Sequence, residues 1–136
     1  MLLVRDIMTE SVVVLTENTA LMEAATTLSN MGVTGAPVCD PQGRVIGVVS
    51  KSDIIARLTD GRSSTELHVG DLMTTKVFSV RPDETLGRAV KQMVAENVHR
   101  IMVVDEEHKL LGILTPMDVL KALVNGTLPS QGLEES

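Results

Sequence analysis

The stretch Gly47-Val-Val-Ser-Lys-Ser-Asp53 recurs 65 residues later as Gly112-Ile-Leu-Thr-Pro-Met-Asp118. In both copies a short apolar run ends in a hydroxyl residue, and an aspartate follows three positions later. This order is typical of a strand that passes directly into a helix, because the hydroxyl can cap the new helix. The duplicated stretch therefore predicts a chain made of two copies of one unit of strands and helices.

The repeat extends in both directions from this stretch. At the same offset, Val4-Arg-Asp-Ile-Met-Thr9 aligns with Val69-Gly-Asp-Leu-Met-Thr74. The gapless alignment covers 55 pairs, of which 13 are identical, whereas ordinary composition gives roughly three or four identities by chance. We assign the chain to repeat 1 at residues 1–60, a linker at 61–68, repeat 2 at 69–125 and a flexible tail at 126–136.

Each repeat has the predicted element order β-α-β-β-α. Runs of β-branched residues indicate strands at 12–15 and 77–80. Apolar residues at helical spacing indicate a helix after each run, capped by Asn18 in repeat 1 and Asp83 in repeat 2. Two further strands and a closing helix follow. The turn Asp40-Pro-Gln-Gly43 joins the strand pair of repeat 1, because proline presets its φ and glycine accepts a positive φ.

A single repeat of about 55 residues is too small to bury both faces of its sheet. Two copies that pack against each other would solve this problem. We therefore predict an α/β (α+β) fold class, with two tandem β-α-β-β-α repeats packed sheet to sheet in pseudo-twofold symmetry.

Composition argues against several kinds of partner. The formal net charge is −6, and Phe78 is the only aromatic residue. Because no Lys/Arg cluster or set of stacking rings is present, we predict no nucleic-acid partner. Cys39 is the only cysteine, which excludes an internal disulfide and fits a reducing compartment. No apolar run approaches the ~20 residues of a transmembrane helix, so we predict a soluble, cytoplasmic protein with no membrane partner.

The sequence offers no arrangement typical of catalysis. No serine, histidine and aspartate set indicates a nucleophile–base pair. The three histidines and Cys39 lack metal-ligand spacing. We therefore predict that the protein is not an enzyme and holds no metal.

Three motifs occur in both repeats: the opening Asp-h-Met-Thr, a strand that ends in Val-x-Asp, and Gly-h-h-(Ser/Thr)-x-x-Asp before the last helix, where h is apolar. With the element order, they resemble the cystathionine-β-synthase-type (CBS) domain pair over residues 4–124. Val98-His-Arg-Ile-Met-Val-Val-Asp105 is similar to the His-Arg segment of nucleotide-binding members. The resemblance implies a regulatory, free-standing sensor that binds an adenosyl ligand in the cleft between its repeats and requires no cofactor.

The resemblance also implies two unequal sites, each built from both repeats. One would combine Ser50 and Asp53 with Phe78 and the 98–100 backbone. The other would combine Thr115 and Asp118 with Val13 and the 33–35 backbone. The aspartates would accept hydrogen bonds from ribose hydroxyls, and Arg100 would clamp phosphate beside His99. The predicted ligand-binding residues are Ser50, Asp53, Thr115, Asp118, Arg100, His99, Thr34, Gly35, Val13 and Phe78.

Alternatives remain open from the residues themselves. Ser/Thr-x-x-acid is also the capping-box pattern, so Ser50 and Thr115 could serve only as helix caps. The protein could then be a structural or dimerisation module with a vestigial cleft. Several ligands share the adenosine that the motif would hold, namely AMP, ADP, ATP, S-adenosylmethionine, NAD and cyclic dinucleotides. The resemblance further implies a homodimer, formed through the amphipathic helices, and an effector protein that the sequence does not identify.

Overall fold

The computed structural model describes residues 1–60 and 67–126. Within it the chain forms two compact units. The central unit is Val13–Val77, and the split unit combines Met1–Val12 with the chain from Phe78 onward. Most of the predicted linker and all of the predicted tail except Gly126 lie outside the described residues.

Twelve elements occur in the described ranges. In chain order they are α1 (Val4–Ile7), β1 (Leu15–Thr16), α2 (Leu21–Met31), β2 (Gly35–Cys39), β3 (Val45–Ser50), α3 (Lys51–Leu58), α4 (Val69–Leu72), β4 (Ser79–Val80), α5 (Leu86–Glu96), β5 (Ile101–Val104), β6 (Leu110–Leu114) and α6 (Pro116–Val124).

Each unit contains one three-stranded sheet of the same topology. In the central unit the order is β1-β2-β3, with β1 parallel to β2 and β2 antiparallel to β3. In the split unit β4, β5 and β6 repeat this arrangement. Both sheets even share an irregularity near the end of the middle strand, at Val38/Cys39 and at Val103/Val104. The predicted mixed fold of two like repeats is therefore confirmed.

Each unit has its own apolar core, built almost without aromatic residues. In the central unit Leu21 and Leu28 of α2 pack against Val38 of β2 and Ile54 of α3. In the split unit the aligned residues Leu86, Met93 and Val103 form the corresponding core. The spacing of the apolar residues in α2 and α5 explains this packing, because positions three or four apart share one helix face.

The first strand and the helix caps differ from the sequence prediction. The strands predicted at 12–15 and 77–80 are shorter and lie later, at β1 and β4. Asn18 and Asp83 are not the caps, since α2 and α5 follow Ala20 and Thr85. Asn18 and Asp83 instead lie inside turns, closed by hydrogen bonds from Thr19 N to Thr16 O and from Glu84 N to Arg81 O. Asn and Asp are also common in turns, because their side chains can hydrogen-bond to the backbone two residues later. The same residue types can therefore indicate either a turn or a helix cap.

The openings of the two repeats are exchanged between the units. α1 lies in the split unit, where Val4 N donates to Glu84 O at 2.9 Å. Thr9 and Ile113 exchange two backbone hydrogen bonds of 2.9 Å, so the opening of repeat 1 extends the sheet edge at β6. In the central unit, Thr74 and Val48 make the equivalent pair of bonds at β3. Each spatial unit therefore closes its sheet with the opening segment of the other sequence repeat.

Candidate functional site

The duplicated heptapeptide forms a strand-to-helix junction in each unit. Ser50 is the N-cap of α3, and its Oγ accepts a hydrogen bond from Asp53 N at 3.2 Å. Thr115 is the N-cap of α6, and its Oγ1 accepts one from Asp118 N at 3.3 Å. The capping role that the sequence left open is thus confirmed at both junctions.

The carboxylate of Asp118 is engaged by its own unit. Its Oδ2 accepts hydrogen bonds from Thr115 N at 2.9 Å and from Thr115 Oγ1 at 3.1 Å, which completes the capping box. Its Oδ1 accepts a hydrogen bond from Thr9 Oγ1 at 2.7 Å. The Asp118 side chain is half-buried. It therefore links the start of α6 to the opening segment of the chain.

The carboxylate of Asp53 has a different environment. Asp53 is exposed, and within the described ranges its carboxylate makes no hydrogen bond or ion pair. Thr74, which aligns with Thr9, does not reach it. Asp53 lines an open groove of about 360 Å³ together with Ala56, Arg57, Asp60 and Leu72. Its oxygens can therefore accept hydrogen bonds from a ligand without losing a bond to residues 1–60 or 67–126.

Two other predicted residues lie beside Ser50. Gly35 is the cross-strand partner of Ser50, and Thr34 O accepts a hydrogen bond from Lys51 N at 2.7 Å. The structure thus brings Thr34, Gly35 and Ser50 together at one end of the central sheet, while Val13 lies half-buried against the core of that unit.

Arg100 and His99 lie at the corresponding end of the split sheet. Arg100 directly precedes Ile101, whose cross-strand partner Leu114 directly precedes Thr115. Arg100 is half-buried, and this desolvation lowers the pKa of its guanidinium from its ordinary value. A partly desolvated cation gains from an anionic group placed next to it, so this environment suits phosphate. His99 is exposed, and Phe78 packs against the core while its carbonyl accepts a hydrogen bond from Met102 N.

The predicted composite sites join residues of different units. The grouping of Ser50 and Asp53 with Phe78 and residues 98–100 stays a prediction. So does the grouping of Thr115 and Asp118 with Val13 and residues 33–35.

The only cysteine lies in an environment typical of a structural residue. Cys39 is buried in β2, and burial, followed by the charge of Asp40, raises the pKa of its thiol. A buried thiol of raised pKa is a poor nucleophile.

Across residues 1–60 and 67–126, no group of three His, Cys, Asp or Glu side chains could hold a metal ion. Nor does any helix in those ranges have the length and apolar character needed to cross a bilayer.

The sequence does not predict that Thr9 contacts Asp118, one of the predicted ligand-binding residues. Its hydrogen-bond partner Asp118 is 109 residues away along the chain, which no local pattern reveals. The one available signal was the Asp-h-Met-Thr opening, because it recurs in both repeats with its threonine intact.

Comparison with known proteins gives a consistent result. The sequence profile of the CBS domain matches residues 4–60 and again 69–125. The gamma-3 subunit of 5'-AMP-activated protein kinase from Sus scrofa is 31% identical over 118 residues, which cover 82% of this chain. That alignment spans only 23% of the kinase subunit's length.

Two solved structures are also similar. CBSX2, a CBS-pair protein from Arabidopsis thaliana solved in complex with AMP, is 31% identical at a TM-score of 0.82, covering 94% of this chain and 100% of that one. The CBS domain pair of the protein MJ0100, solved with 5'-methylthioadenosine and S-adenosyl-L-methionine, is 26% identical at a TM-score of 0.78. The shared part covers 93% of this chain and 98% of that one.

Proposed function

The chain belongs to the CBS domain family, and from that premise we propose that it is a regulatory module that senses an adenosyl ligand. The exposed carboxylate of Asp53, which makes no hydrogen bond within the described residues, carries the proposal. An ionised carboxylate only accepts hydrogen bonds, and the two vicinal hydroxyls of a ribose can donate them. Asp53 would therefore bind the ribose, one helical turn from the cap Ser50.

Arg100 would bind a phosphate of the ligand. Its guanidinium is partly desolvated, as its lowered pKa reflects, and a planar guanidinium can bind phosphate in a bidentate manner. We propose His99 as a neighbouring hydrogen-bond donor and Phe78 as part of the surroundings of this adenosine, whereas Val13, Thr34 and Gly35 would belong with Thr115 and Asp118 to the second predicted site. That the ligand lies in a cleft formed by both repeats stays a prediction from the resemblance.

AMP and S-adenosylmethionine are the first candidate ligands. Their support comes from the two similar proteins solved with AMP and with S-adenosyl-L-methionine. ADP, ATP and NAD contain the same adenosine and remain candidates. Such a ligand would regulate an effector by its different affinity for two arrangements of the module. We propose no catalytic step, no required cofactor and a cytoplasmic location, which the unpaired Cys39 supports.

A homodimer belongs to the same proposal. In the split unit α5 and α6 expose apolar side chains, among them Val94, Leu120 and Val124, which are 76%, 53% and 83% exposed. Between these helices lies a largely apolar groove of about 460 Å³ that His99 and Pro116 also line. Exposed apolar patches of this kind mark interaction surfaces. A second copy of the chain could cover this surface in a self-complementary contact.

Isothermal titration calorimetry tests the proposed function. The purified protein is titrated with AMP, ATP, S-adenosylmethionine and NAD. We expect micromolar binding of at least one ligand, and at least a tenfold loss of affinity in Asp53→Ala. The control Glu23→Ala removes an exposed carboxylate from α2 of the same unit and should bind as the wild type does. If the folded wild type bound none of the four, the alternative of a structural or dimerisation module would be favoured.

A further inference from the structure

We infer that the two acidic motifs have different tasks: Asp53 binds the ribose of the ligand, whereas Asp118 is held in an internal latch with Thr9 and Thr115. The chain would then bind one adenosyl ligand rather than two. This inference rests on the proposed function and deepens it, because the sequence repeat by itself predicts equal roles for the two aspartates.

The available acceptor positions of each carboxylate lead to this inference. A carboxylate offers about four lone-pair positions, two on each oxygen. In Asp118, Oδ2 accepts two hydrogen bonds from Thr115 and Oδ1 accepts one from Thr9. Only one position on Oδ1 is left. A ribose diol donates two hydrogen bonds, so Asp118 would have to release a protein donor before it could bind both hydroxyls.

Among the residues that the structure describes, Asp53 has no such competing donors. None of its lone pairs accepts a hydrogen bond within the described residues, and the side chain is exposed. Ser50 Oγ accepts a hydrogen bond from Asp53 N and lies 3.3 Å from Ser52 Oγ, but unlike Thr115 it makes no hydrogen bond with the carboxylate three residues later. Both oxygens of Asp53 can therefore receive the diol while the cap of α3 stays intact.

The local backbone explains why the two junctions differ. β3 extends to Ser50, which pairs with Gly35 across the sheet. β6 ends one residue earlier, at Leu114, so the N–H of Thr115 can turn back and donate to Asp118. The hydroxyls of the two opening segments differ as well, because Thr9 reaches Asp118 but Thr74 does not reach Asp53.

Calorimetry on a matched pair of variants tests the inference. AMP and S-adenosylmethionine are titrated into the wild type, Asp53→Asn and Asp118→Asn, with folding checked by circular dichroism. We expect one ligand per chain in the wild type, at least a tenfold loss of affinity in Asp53→Asn, and affinity within about threefold of wild type in Asp118→Asn. Two ligands per chain, or a loss of affinity in Asp118→Asn equal to that in Asp53→Asn, would overturn the inference.

Thermal unfolding tests the latch without any ligand. Thr9→Val and Asp118→Asn should each lower the melting temperature. The melting temperature of the double variant should be no lower than that of the less stable single variant, because both changes break the same hydrogen bond. Thr74→Val and Asp53→Asn are the matched controls and should melt as the wild type does. Equal melting of all variants would overturn the latch. Failure of the folded wild type to bind any of AMP, ATP, S-adenosylmethionine and NAD would instead overturn the proposed function.

Discussion

At the scale of single residues, the turn of each repeat is held by an aspartate. Asp105 Oδ1 accepts hydrogen bonds from the backbone N–H groups of Glu107 and Lys109, both at 2.9 Å. In repeat 1, Asp40 Oδ1 accepts the equivalent bonds from Gln42 and Arg44. In the turn of repeat 2, the backbone hydrogen bond from Lys109 is the main cause that holds the pKa of Asp105 below its ordinary value of 3.8.

This lowered pKa predicts a specific pH dependence of stability. Since the pKa is lower in the folded than in the unfolded state, the charged carboxylate stabilises the fold above pH 3.8, and this contribution is lost as the pH falls below that value. We expect Asp105→Asn to lower the melting temperature at neutral pH, and the gap to the wild type to narrow as the pH falls below 3.8. Thermal melts over a pH series measure this gap.

The control is Glu106→Gln, which removes an exposed neighbouring carboxylate that makes no hydrogen bond within the described ranges. It should change the melting temperature little at any pH. A gap between Asp105→Asn and the wild type that stayed constant down to the lowest pH would contradict the role assigned to the Asp105 charge.

Some residue-scale features could be predicted from the sequence and others could not. Asp40-Pro-Gln-Gly43 indicates a residue with positive φ, and Gly43 has φ +84°. In repeat 2 the aligned residue is His108, which adopts φ +66° although no glycine marks the position. The bond of Thr9 to Asp118 was beyond prediction for a further reason, since it depends on which unit the first twelve residues join.

At the scale of elements, the glycines of the duplicated heptapeptide allow the opening segments to pack. A Cβ added at Gly112 in β6 would lie 2.8 Å from Thr9 O and 3.0 Å from Met8 Sδ. At Gly47 in β3 it would lie 2.8 Å from Met73 Sδ and 3.0 Å from Thr74 O. A flexible methionine can move aside more easily than a backbone carbonyl that is hydrogen-bonded to the sheet.

We therefore expect Gly112→Ala to lower the free energy of unfolding by about 1–3 kcal/mol, the usual cost of an overpacked interior. Gly47→Ala should cost less, because its shortest contact is to the flexible end of Met73. Urea denaturation measures both values. A Gly112→Ala variant as stable as the wild type would show that the opening segment can shift away from β6.

Element prediction succeeded where the pattern was long and failed where it was short. The helical spacing of apolar residues identifies α2 and α5, and the proline at position 116 marks the start of α6. The helices α1 and α4 have only four residues each, too few for a periodic signal. The strands β1 and β4 are two residues long, so pairing with the neighbouring strand sets their bounds more than β-propensity does.

At the scale of the whole molecule, several exposed apolar residues of α5 and α6 align with hydroxyl residues of repeat 1, although α2 also exposes Met22 and Met31. In the split unit, Val94, Met117 and Val124 are exposed. The aligned residues of repeat 1 are Ser29, Ser52 and Thr59. Burial of hydroxyl side chains without partners is unfavourable, whereas burial of apolar ones is favourable. If the chain dimerises as proposed, the face of α5 and α6 should contribute the larger part of the interface.

A charge in the groove of that face should therefore disrupt the dimer. We expect Leu120→Glu to shift the protein towards a monomer, because an unpaired carboxylate would have to be buried in an apolar contact. The matched control Ile55→Glu alters the aligned position in α3, which is 45% exposed, and should have the smaller effect. Sedimentation equilibrium measures the dissociation constants. A monomeric wild type, or a dimer weakened more by Ile55→Glu, would contradict the expectation.

The exchange of the opening segments between the two units determines where the chain can be cut without separating a sheet from the segment that closes it. A cut within the sequence linker would separate each repeat from the segment that closes its sheet, because Val4–Thr9 belongs with repeat 2 and Val69–Thr74 with repeat 1. A circular permutant that begins at Val13 avoids this loss. In that order the central unit comes first as one uninterrupted stretch, and joining residue 136 to residue 1 makes the other unit continuous as well.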